Sequence, residues 1–383
     1  MGLEQTNQIK KRVLIVVPSL GIGGQEKVAV DTVLALKDDY EIRTVTFHKK
    51  ENGKEYPDPC DVVCINVRAS KSKIQKVFSQ FIRARKLKKI RKEFKPDYVY
   101  SFGATANLTN VLSKSYGKCI VAVHHGLGNS IANAKDRFVF KRADVVIAIS
   151  KAMQAGLKKL YPEIDKFITI ENGYDISTIQ KLSLAAKEQM FGFPALVAVG
   201  RHESVKGYHR LIRAFEKVST LLPQAELYMV GEGSLTDELK ELSYSLGLES
   251  KIHFVGYQAN PYVYLKSSDM MVLSSYSEGF PNSVIEALAC GTCVIATNCG
   301  ALEILSDDSP MVEGICFAKY GVLVENSEDR VVIDLLAEAI ISLATHKEQH
   351  QEYMRLAATR AQEYSIETYT RKVISLFNML SKS

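Results

Sequence analysis

The organisation of this chain is indicated by ten residues in its second half, Ser277-Glu278-Gly279-Phe280-Pro281-Asn282-Ser283-Val284-Ile285-Glu286. The apolar run before them, Met270 to Leu273, predicts a short buried strand, and the residues from Val284 onward predict a helix that ends at Gly291. A strand, a glycine–proline turn and a helix N-terminus in this order favour a phosphate-binding crevice. The turn lets backbone amides approach a ligand, and the helix end supplies unpaired N–H groups with a positive dipole.

The two carboxylates of this stretch are its candidate functional groups. Glu286 would lie about one turn into the helix, where a carboxylate can accept hydrogen bonds from two adjacent ribose hydroxyls. Glu278 lies ahead of the turn, on the side where a transferring group would project. Each has a structural alternative: Ser283 and Glu286 have the spacing of a helix capping box, and Glu278 could be a solvated loop acid. The segment alone leaves both interpretations open.

Length and composition predict a two-domain globular protein. The chain has 383 residues, and a single core rarely grows beyond ~250–300 residues. The first apolar run ends at Pro18, which is too early for a signal-peptide core, and no window approaches the ~20 apolar residues of a membrane span. We therefore expect a cytoplasmic protein that does not cross a bilayer.

The chain has seven cysteines, an odd number, at irregular spacing, which favours a reducing compartment. Cys290, Cys293 and Cys299 include a C-x-x-C, the spacing of many zinc ligands. Their neighbours are apolar, and no fourth Cys or His follows at zinc spacing. Buried small side chains are the better interpretation, and we expect no metal site.

Charge is concentrated in residues 71–95, which hold eleven Lys or Arg and one acid, a charge of +10 against +6 for the whole chain. Apolar residues recur among them at helical spacing, which is typical of a basic amphipathic helix on an anionic membrane surface. The alternative is a helix packed on the first domain with a solvated basic face, and both can hold together. No motif supports nucleic acid as partner. The predicted membrane or acceptor surface comprises Lys86, Lys88, Lys89, Arg91 and Lys92.

Alternation of strands and helices predicts two α/β domains, each with a doubly wound parallel sheet. The predicted strands are 13–18, 42–47, 98–102, 120–124 and 145–149 in the first half, and 195–199, 227–230, 253–255, 270–273 and 294–296 in the second. We place the domain boundary after Gly173, and the last predicted helices break at Tyr364-Ser365. Two such sheets that face each other share a cleft at the carboxyl ends of their strands, a geometry suited to two substrates.

The loop Gly200-Arg-His-Glu-Ser-Val-Lys-Gly207 follows the first strand of the second domain. Arg201 offers a planar fork and Lys206 a point charge, a combination that fits a diphosphate. Both could also be ordinary surface cations. The chain has no D-x-D, the pairing that holds a divalent ion against a sugar-nucleotide diphosphate. Side-chain cations and a helix dipole are therefore expected to neutralise a leaving diphosphate.

Two features of the first domain are weaker candidates. The loop 21–25, with Gly23 and Gly24, lacks the third glycine of a dinucleotide fingerprint, because Glu26 stands there. It predicts a close backbone approach to a ligand or, alternatively, a simple tight turn. His125 follows a strand end, where a neutral imidazole can donate to a sugar hydroxyl or a phosphate oxygen, although a core or surface role is the default.

With these features in order, the chain resembles the GT-B glycosyltransferases of the large retaining family 4 over nearly its whole length. The segments that carry the resemblance are 23–26, 150–151, 172–175, 200–201 with 206–207, 231–233, 254–257, Glu278 with Glu286, and 321–324. Two departures are Gln25, where the family often has Ala, and Ala301-Leu302-Glu303, which replaces a more usual Gly-rich or Pro-bearing turn.

The resemblance implies a nucleotide-sugar donor held mainly by the second domain, transfer with retention of anomeric configuration, and no metal or cofactor. It also implies that residues 366–383 form a last helix that crosses back to the first domain, which leaves 174–365 as the second domain. The implied catalytic residues are Glu278, His125, Arg201 and Lys206, of which Arg201 and Lys206 would hold the diphosphate. The implied donor contacts are Glu286 for the ribose, Tyr257 for the base, Gly279, Phe280, Pro281 and Asn282 beside Glu278, and Gly23 with Gly24 from the first domain.

We therefore predict a hexosyl or N-acetylhexosaminyl transferase that uses a nucleotide sugar, UDP-linked by preference. Its acceptor would be a lipid-linked saccharide at the inner face of the cell membrane, in surface-polysaccharide or glycan biosynthesis. Two alternatives are a GT-B sugar-nucleotide 2-epimerase and a non-catalytic nucleotide-sugar-binding partner subunit.

Overall fold

The computed structural model describes residues 10–21, 23–49, 55–57, 60–68, 72–124, 132–185, 192–307 and 312–382. Contacts divide the chain into two compact units. The first consists of Met1–Gly173 together with Ile366–Ser383, and the second of Tyr174–Ser365.

The described residues of the first unit form a seven-stranded parallel sheet in the order β3-β2-β1-β4-β5-β6-β7. Its elements are β1 (Arg12–Val17), α1 (Gly24–Leu36), β2 (Glu41–Thr46), β3 (Val62–Cys64), α2 (Lys73–Phe94), β4 (Tyr98–Phe102), α3 (Ala104–Leu112), β5 (Lys118–Val123), α4 (Ala134–Arg142), β6 (Val145–Ala148), α5 (Lys151–Leu160), β7 (Phe167–Thr169) and the C-terminal helix α14 (Ile366–Lys382).

Helices cover both faces of this sheet, and the side chains of β1 alternate between them. Val13 and Ile15 pack with α1 and α14, whereas Leu14 and Val16 pack with α2 and α3. The expected return of the last helix to the first unit is confirmed, since the Phe377 ring on α14 stacks on a tyrosine of β4 at 4.1 Å between centroids.

The second unit repeats the plan in the described residues, with a seven-stranded sheet in the order β10-β9-β8-β11-β12-β14-β13, in which β13 runs antiparallel to β14. Its elements are α6 (Ile176–Ser183), β8 (Ala195–Val199), α7 (Tyr208–Leu221), β9 (Glu226–Val230), α8 (Thr236–Ser245), β10 (Ile252–Gly256), α9 (Tyr262–Ser267), β11 (Met270–Leu273), α10 (Asn282–Cys290), β12 (Cys293–Thr297), α11 (Leu302–Leu305), β13 (Ile315–Ala318), β14 (Gly321–Val324), α12 (Asp329–Thr345) and α13 (Lys347–Gln362).

The predicted fold class is confirmed, and the ten predicted strands coincide with observed strands to within two residues at each end. The strands β3, β7, β13 and β14 were not predicted. β3, β7 and β13 are short edge strands with mostly half-buried side chains, so they lack the buried apolar run that marks the predicted strands. β14 has only four residues, and one of them is a glycine. No helix among the described residues is both long enough and apolar enough to span a bilayer.

Helix α2 holds most of the basic segment and divides its cations into two groups. Arg83 and Arg91 are buried. The Arg83 guanidinium donates to the Val67 carbonyl at 2.8 Å. The Arg91 guanidinium donates to the carbonyl oxygens of Asn110 at 3.0 Å and Tyr116 at 2.8 Å. These two arginines therefore attach the helix to the rest of the unit.

The prediction that Arg91 lies on a membrane or acceptor surface is wrong. Its side chain reaches inward, where the guanidinium donates to carbonyl oxygens at the end of α3 and in the connection to β5. The other four residues of that predicted surface, Lys86, Lys88, Lys89 and Lys92, are exposed. Of these, Lys86 also donates to the Ile65 carbonyl at 2.7 Å.

The cysteine triple of the second unit matches the prediction of small packed side chains. Cys290 and Cys293 are buried free thiols, and Cys299 is partly buried. No group of three His, Cys, Asp or Glu side chains is placed to hold a metal ion within the described parts of the chain. Burial raises the pKa of Cys290 and of Cys293 to about 12 in each case, and the nearby Glu286 carboxylate adds to the shift at Cys290.

We expect these two thiols to resist alkylation in the folded protein. A raised pKa leaves little thiolate at neutral pH, and the thiolate is the nucleophile. Mass spectrometry after a brief iodoacetamide treatment should find Cys290 and Cys293 unmodified, and the partly exposed Cys60, Cys64 and Cys316 serve as the comparison. Rapid labelling of Cys293 without denaturant would contradict the packing described above.

Candidate active site

The loop after β8 carries the two predicted cations, Arg201 and Lys206. The Arg201 side chain is exposed, and Ser204–Lys206 form a single 3-10 turn. Gly207 is the N-cap of α7 with a φ of +60°, and a Cβ at this position would collide with the carbonyl oxygen of Ser274. The turn lies directly against the loop that follows β11, and only glycine fits so close an approach.

That approach pairs Lys206 with Glu278. The Lys206 Nζ lies 2.7 Å from Glu278 Oε1, and the two side chains are only 20% and 16% exposed. The Ser275 hydroxyl also donates to Glu278 Oε1, at 2.8 Å. Glu278 is therefore not a solvated loop acid. Its charge is largely withdrawn from water and balanced by a specific cation.

Backbone hydrogen bonds fix the loop on which Glu278 lies. β8 and β11 are adjacent strands of the sheet, so the loops at their carboxyl ends are neighbours. The Tyr276 amide donates to the Val205 carbonyl at 2.8 Å, and the Glu278 amide donates to the Cys299 carbonyl at 2.8 Å. The carboxylate is thus held from both sides, by the Lys206 loop and by the loop that follows β12.

Arg210 is a buried residue of this region that the sequence interpretation missed. Its guanidinium lies 3.6 Å from the centroid of the Tyr276 ring and donates to Asp329 at 2.7 Å and to Asn326 at 2.8 Å. Burial alone would raise the pKa of Asp329, but hydrogen bonds from Arg210 and Tyr276 outweigh it and the pKa is lowered. This network joins the start of α7, the Glu278 loop and the start of α12. A basic residue within an amphipathic helix gave no sequence signal for it.

The turn after Glu278 leads into the N-terminus of α10. This helix begins at Asn282 after Pro281, and no side chain caps it. Ser283 lies inside the helix, so the capping-box alternative does not apply, and Glu286 is half-buried one turn from the helix start. The Tyr174 hydroxyl donates to Asn282 Oδ1 at 2.6 Å, which holds the first residue of the helix in place.

Other predicted donor contacts of the second unit surround this turn. Gly279 is half-buried, and Phe280 is buried with its ring 5.6 Å from that of Tyr364. Tyr257 follows β10 and is exposed, and its amide donates to the Glu232 carboxylate at 3.2 Å. Phe280 thus has a packing role within the unit, whereas the Tyr257 side chain is open to solvent.

His202, beside Arg201, is a second buried residue without an assigned role in the sequence interpretation. Its Nδ1 lies 2.9 Å from the Thr236 hydroxyl, and its ring packs edge-on against Tyr208 at 5.2 Å. Burial lowers the pKa of His202 and so favours the neutral imidazole. The ring connects the Arg201 loop with the start of α8, which orients the loop without exposing the histidine to a ligand.

Two predicted residues of the first unit, Gly23 and Gly24, lie at the start of α1. Gly23 precedes this helix in an extended conformation, and its carbonyl accepts the Lys27 amide at 2.9 Å. Gly24 is the first helical residue. His125 lies outside the described residues.

Comparisons with known proteins agree with this architecture. A family model described as Glycosyltransferase Family 4 matches residues 22–178, and one described as Glycosyl transferases group 1 matches residues 186–360. The crystal structure of Anabaena HepE in complex with UDP superposes with a TM-score of 0.75 at 20% identity, and the match covers 96% of this chain and 100% of the HepE chain. The protein is a glycosyltransferase with the GT-B fold.

Two curated relatives match this glycosyltransferase over most of their own lengths. An uncharacterized glycosyltransferase of Methanocaldococcus jannaschii is 28% identical over 89% of this chain and 92% of the relative. The N-acetylgalactosamine-N,N'-diacetylbacillosaminyl-diphospho-undecaprenol 4-alpha-N-acetylgalactosaminyltransferase of Campylobacter jejuni is 26% identical over 91% of this chain and 94% of the relative.

Proposed function

We propose that this glycosyltransferase moves a hexose or an N-acetylhexosamine from a UDP-linked donor to a lipid-linked saccharide, with retention of configuration and without a metal. The second unit would hold the donor and the first unit the acceptor. The observation that carries the proposal is the sheltered Lys206–Glu278 pair, which lies at the carboxyl ends of adjacent strands and is followed by the uncapped start of α10. Ligands of open α/β sheets bind at this edge.

The site has the charges that a sugar diphosphate requires. Lys206 has three N–H donors, of which Glu278 engages one, so others are directed to phosphate oxygens when the donor binds. The exposed Arg201 adds a planar fork, and the N-terminus of α10, which no side chain caps, adds the positive end of a helix dipole. The half-buried Glu286 would accept hydrogen bonds from the ribose.

The chemistry that we propose is a front-face substitution. The acceptor hydroxyl oxygen bonds to the anomeric carbon while the bond from that carbon to the β-phosphate oxygen breaks. The hydroxyl proton passes to the departing phosphate oxygen. Lys206, Arg201 and the α10 amides stabilise the negative charge that develops on the nucleoside diphosphate. Glu278 stabilises the oxocarbenium-like character of the sugar.

Two relatives support the choice of substrates. HepE was crystallised with UDP and with UDP-glucose, which supports a uridine donor. The name of the C. jejuni relative contains a diphospho-undecaprenol acceptor, which supports a saccharide carried on a lipid diphosphate and glycan assembly at the inner face of the membrane. Such an acceptor would bring the enzyme to the bilayer as a peripheral protein.

Donor hydrolysis tests the proposal without an acceptor. Incubation with a panel of UDP-, GDP- and ADP-sugars should give slow release of UDP from at least one UDP-sugar, and this release should survive chelation of divalent metals. The control is Lys206→Ala, in which the release should be lost. Release only from GDP- or ADP-sugars, or an altered sugar nucleotide in place of UDP, would contradict the proposal, and so would UDP binding without turnover when a lipid-linked acceptor is present.

A further inference from the structure

Helix α2 presents an apolar stripe to solvent along its first two turns. Ile74, Val77, Phe78 and Phe81 have the i, i+3, i+4, i+7 spacing of one helix face, yet they remain 83%, 73%, 65% and 57% exposed. In a helix of a globular domain, such a stripe normally faces the core. Here the core-facing residues are others, among them Leu87, which is fully buried.

The second half of α2 is what attaches the helix to the first unit. Leu87 and Phe94 belong to the core under the sheet, and the buried guanidinium of Arg91 donates to carbonyl oxygens of the α3–β5 connection. The apolar stripe contributes little to this attachment, because its side chains lie mostly in water. Four large apolar side chains so placed on one surface indicate a partner.

A groove of about 1210 Å³ adjoins the stripe, and its lining combines apolar and cationic groups. The residues that matter here are Val77, Phe81 and Leu112 on the apolar side, and Arg85, Lys88 and Lys92 on the cationic side. Among the described residues, no carboxylate lines it. Lys89, which also lines the groove, lies 3.8 Å from Glu93 on the same helix, whereas no described carboxylate forms an ion pair with Arg85, Lys88 or Lys92.

We propose that the apolar stripe and these cations dock the enzyme on an anionic lipid bilayer. The stripe inserts its side chains at the boundary of headgroups and acyl chains, and the cations bind lipid phosphates in the groove. The proposal rests on the membrane-bound acceptor proposed above and adds the lipid surface as the partner and the contact residues. A polyanion such as nucleic acid would complement the charges but would leave the aromatic and aliphatic stripe in water. A bilayer offers phosphates to the cations and an apolar phase to the stripe.

Sedimentation with vesicles tests the two halves of the surface separately. Phe78→Ala with Phe81→Ala should weaken binding to phosphatidylcholine–phosphatidylglycerol vesicles by about tenfold or more, because two large apolar side chains no longer leave water. The triple variant Arg85→Gln, Lys88→Gln, Lys92→Gln should weaken it by about 100-fold, since each cation near such a surface contributes roughly fivefold. The wild-type protein should bind vesicles of phosphatidylcholine alone much more weakly.

The matched control is Lys158→Gln with Lys159→Gln, which removes two exposed cations of α5 outside the proposed surface and should leave vesicle binding unchanged. Far-UV circular dichroism reports whether each variant is folded, and donor hydrolysis in water reports whether the second unit is active. Loss of hydrolysis would therefore indicate failure of the proposed function and not of the docking surface. The inference is overturned if the phenylalanine variant binds as wild type, if the control loses as much binding as the triple variant, or if a nucleic-acid duplex displaces the vesicles while the phenylalanine variant still binds that duplex.

Discussion

We expect Lys206→Ala and Glu278→Ala each to lower kcat by ~10²-fold or more, the cost of removing a preorganised group from a developing charge. Lys206 would stabilise the departing diphosphate and Glu278 the electron-poor sugar, so each acts most strongly in the transition state. Each single change also leaves the other charge in a sheltered position without its partner, since the two atoms lie 2.7 Å apart. Steady-state kinetics with saturating donor measure the effect.

A matched ion pair of the same unit distinguishes catalysis from surface electrostatics. Lys217 and Asp334 form an ion pair in which both side chains are about half exposed, and replacing either by Ala should leave kcat unchanged. The double variant of Lys206 and Glu278 should lose much less than the product of the single losses, because the two groups act on one transition state. Near wild-type turnover in both single variants would defeat the assignment.

Arg91→Ala should lower the free energy of unfolding of the first unit by about 3 kcal/mol or more. Its guanidinium is fully buried and donates to carbonyl oxygens of Asn110, Tyr116 and Gly117, and a hydrogen bond from a charged group contributes ~1.5–3 kcal/mol. Urea denaturation followed by circular dichroism measures the shift in midpoint.

The neighbour Lys92 supplies the control for this prediction. It is exposed on the same turn of α2, so Lys92→Ala should change the free energy of unfolding by no more than ~0.5 kcal/mol. Arg91→Lys should recover only part of the loss, because an ammonium group cannot reproduce the planar fork that reaches several carbonyl oxygens. Equal midpoints for Arg91→Ala and Lys92→Ala would show that the buried hydrogen bonds contribute nothing.

Whether Arg91 is buried or exposed could not be predicted from its neighbours in the sequence. Along residues 71–95 the cations have similar neighbours, and nothing local separates Arg91 from Lys92. The distinction arises from the α3–β5 connection, where the carbonyl oxygens of Tyr116 and Gly117 accept from Arg91 across 25 and 26 residues of sequence. Arg210 was missed for the same reason, because its partners Asp329 and Asn326 are more than a hundred residues away.

Hydrophobic runs and glycine turns are local properties of the chain, so ten parallel strands and the loops that carry the candidate chemistry could be predicted without the structure. Lys206 and Glu278 could be placed after strands in this way. Their direct contact becomes visible in the folded unit, because it depends on β8 and β11 being neighbours in a sheet whose order differs from the order of the chain. The folded unit also determines which side chains are buried: Arg91 is buried and Phe78 is exposed, and this difference depends on the packing of the whole unit.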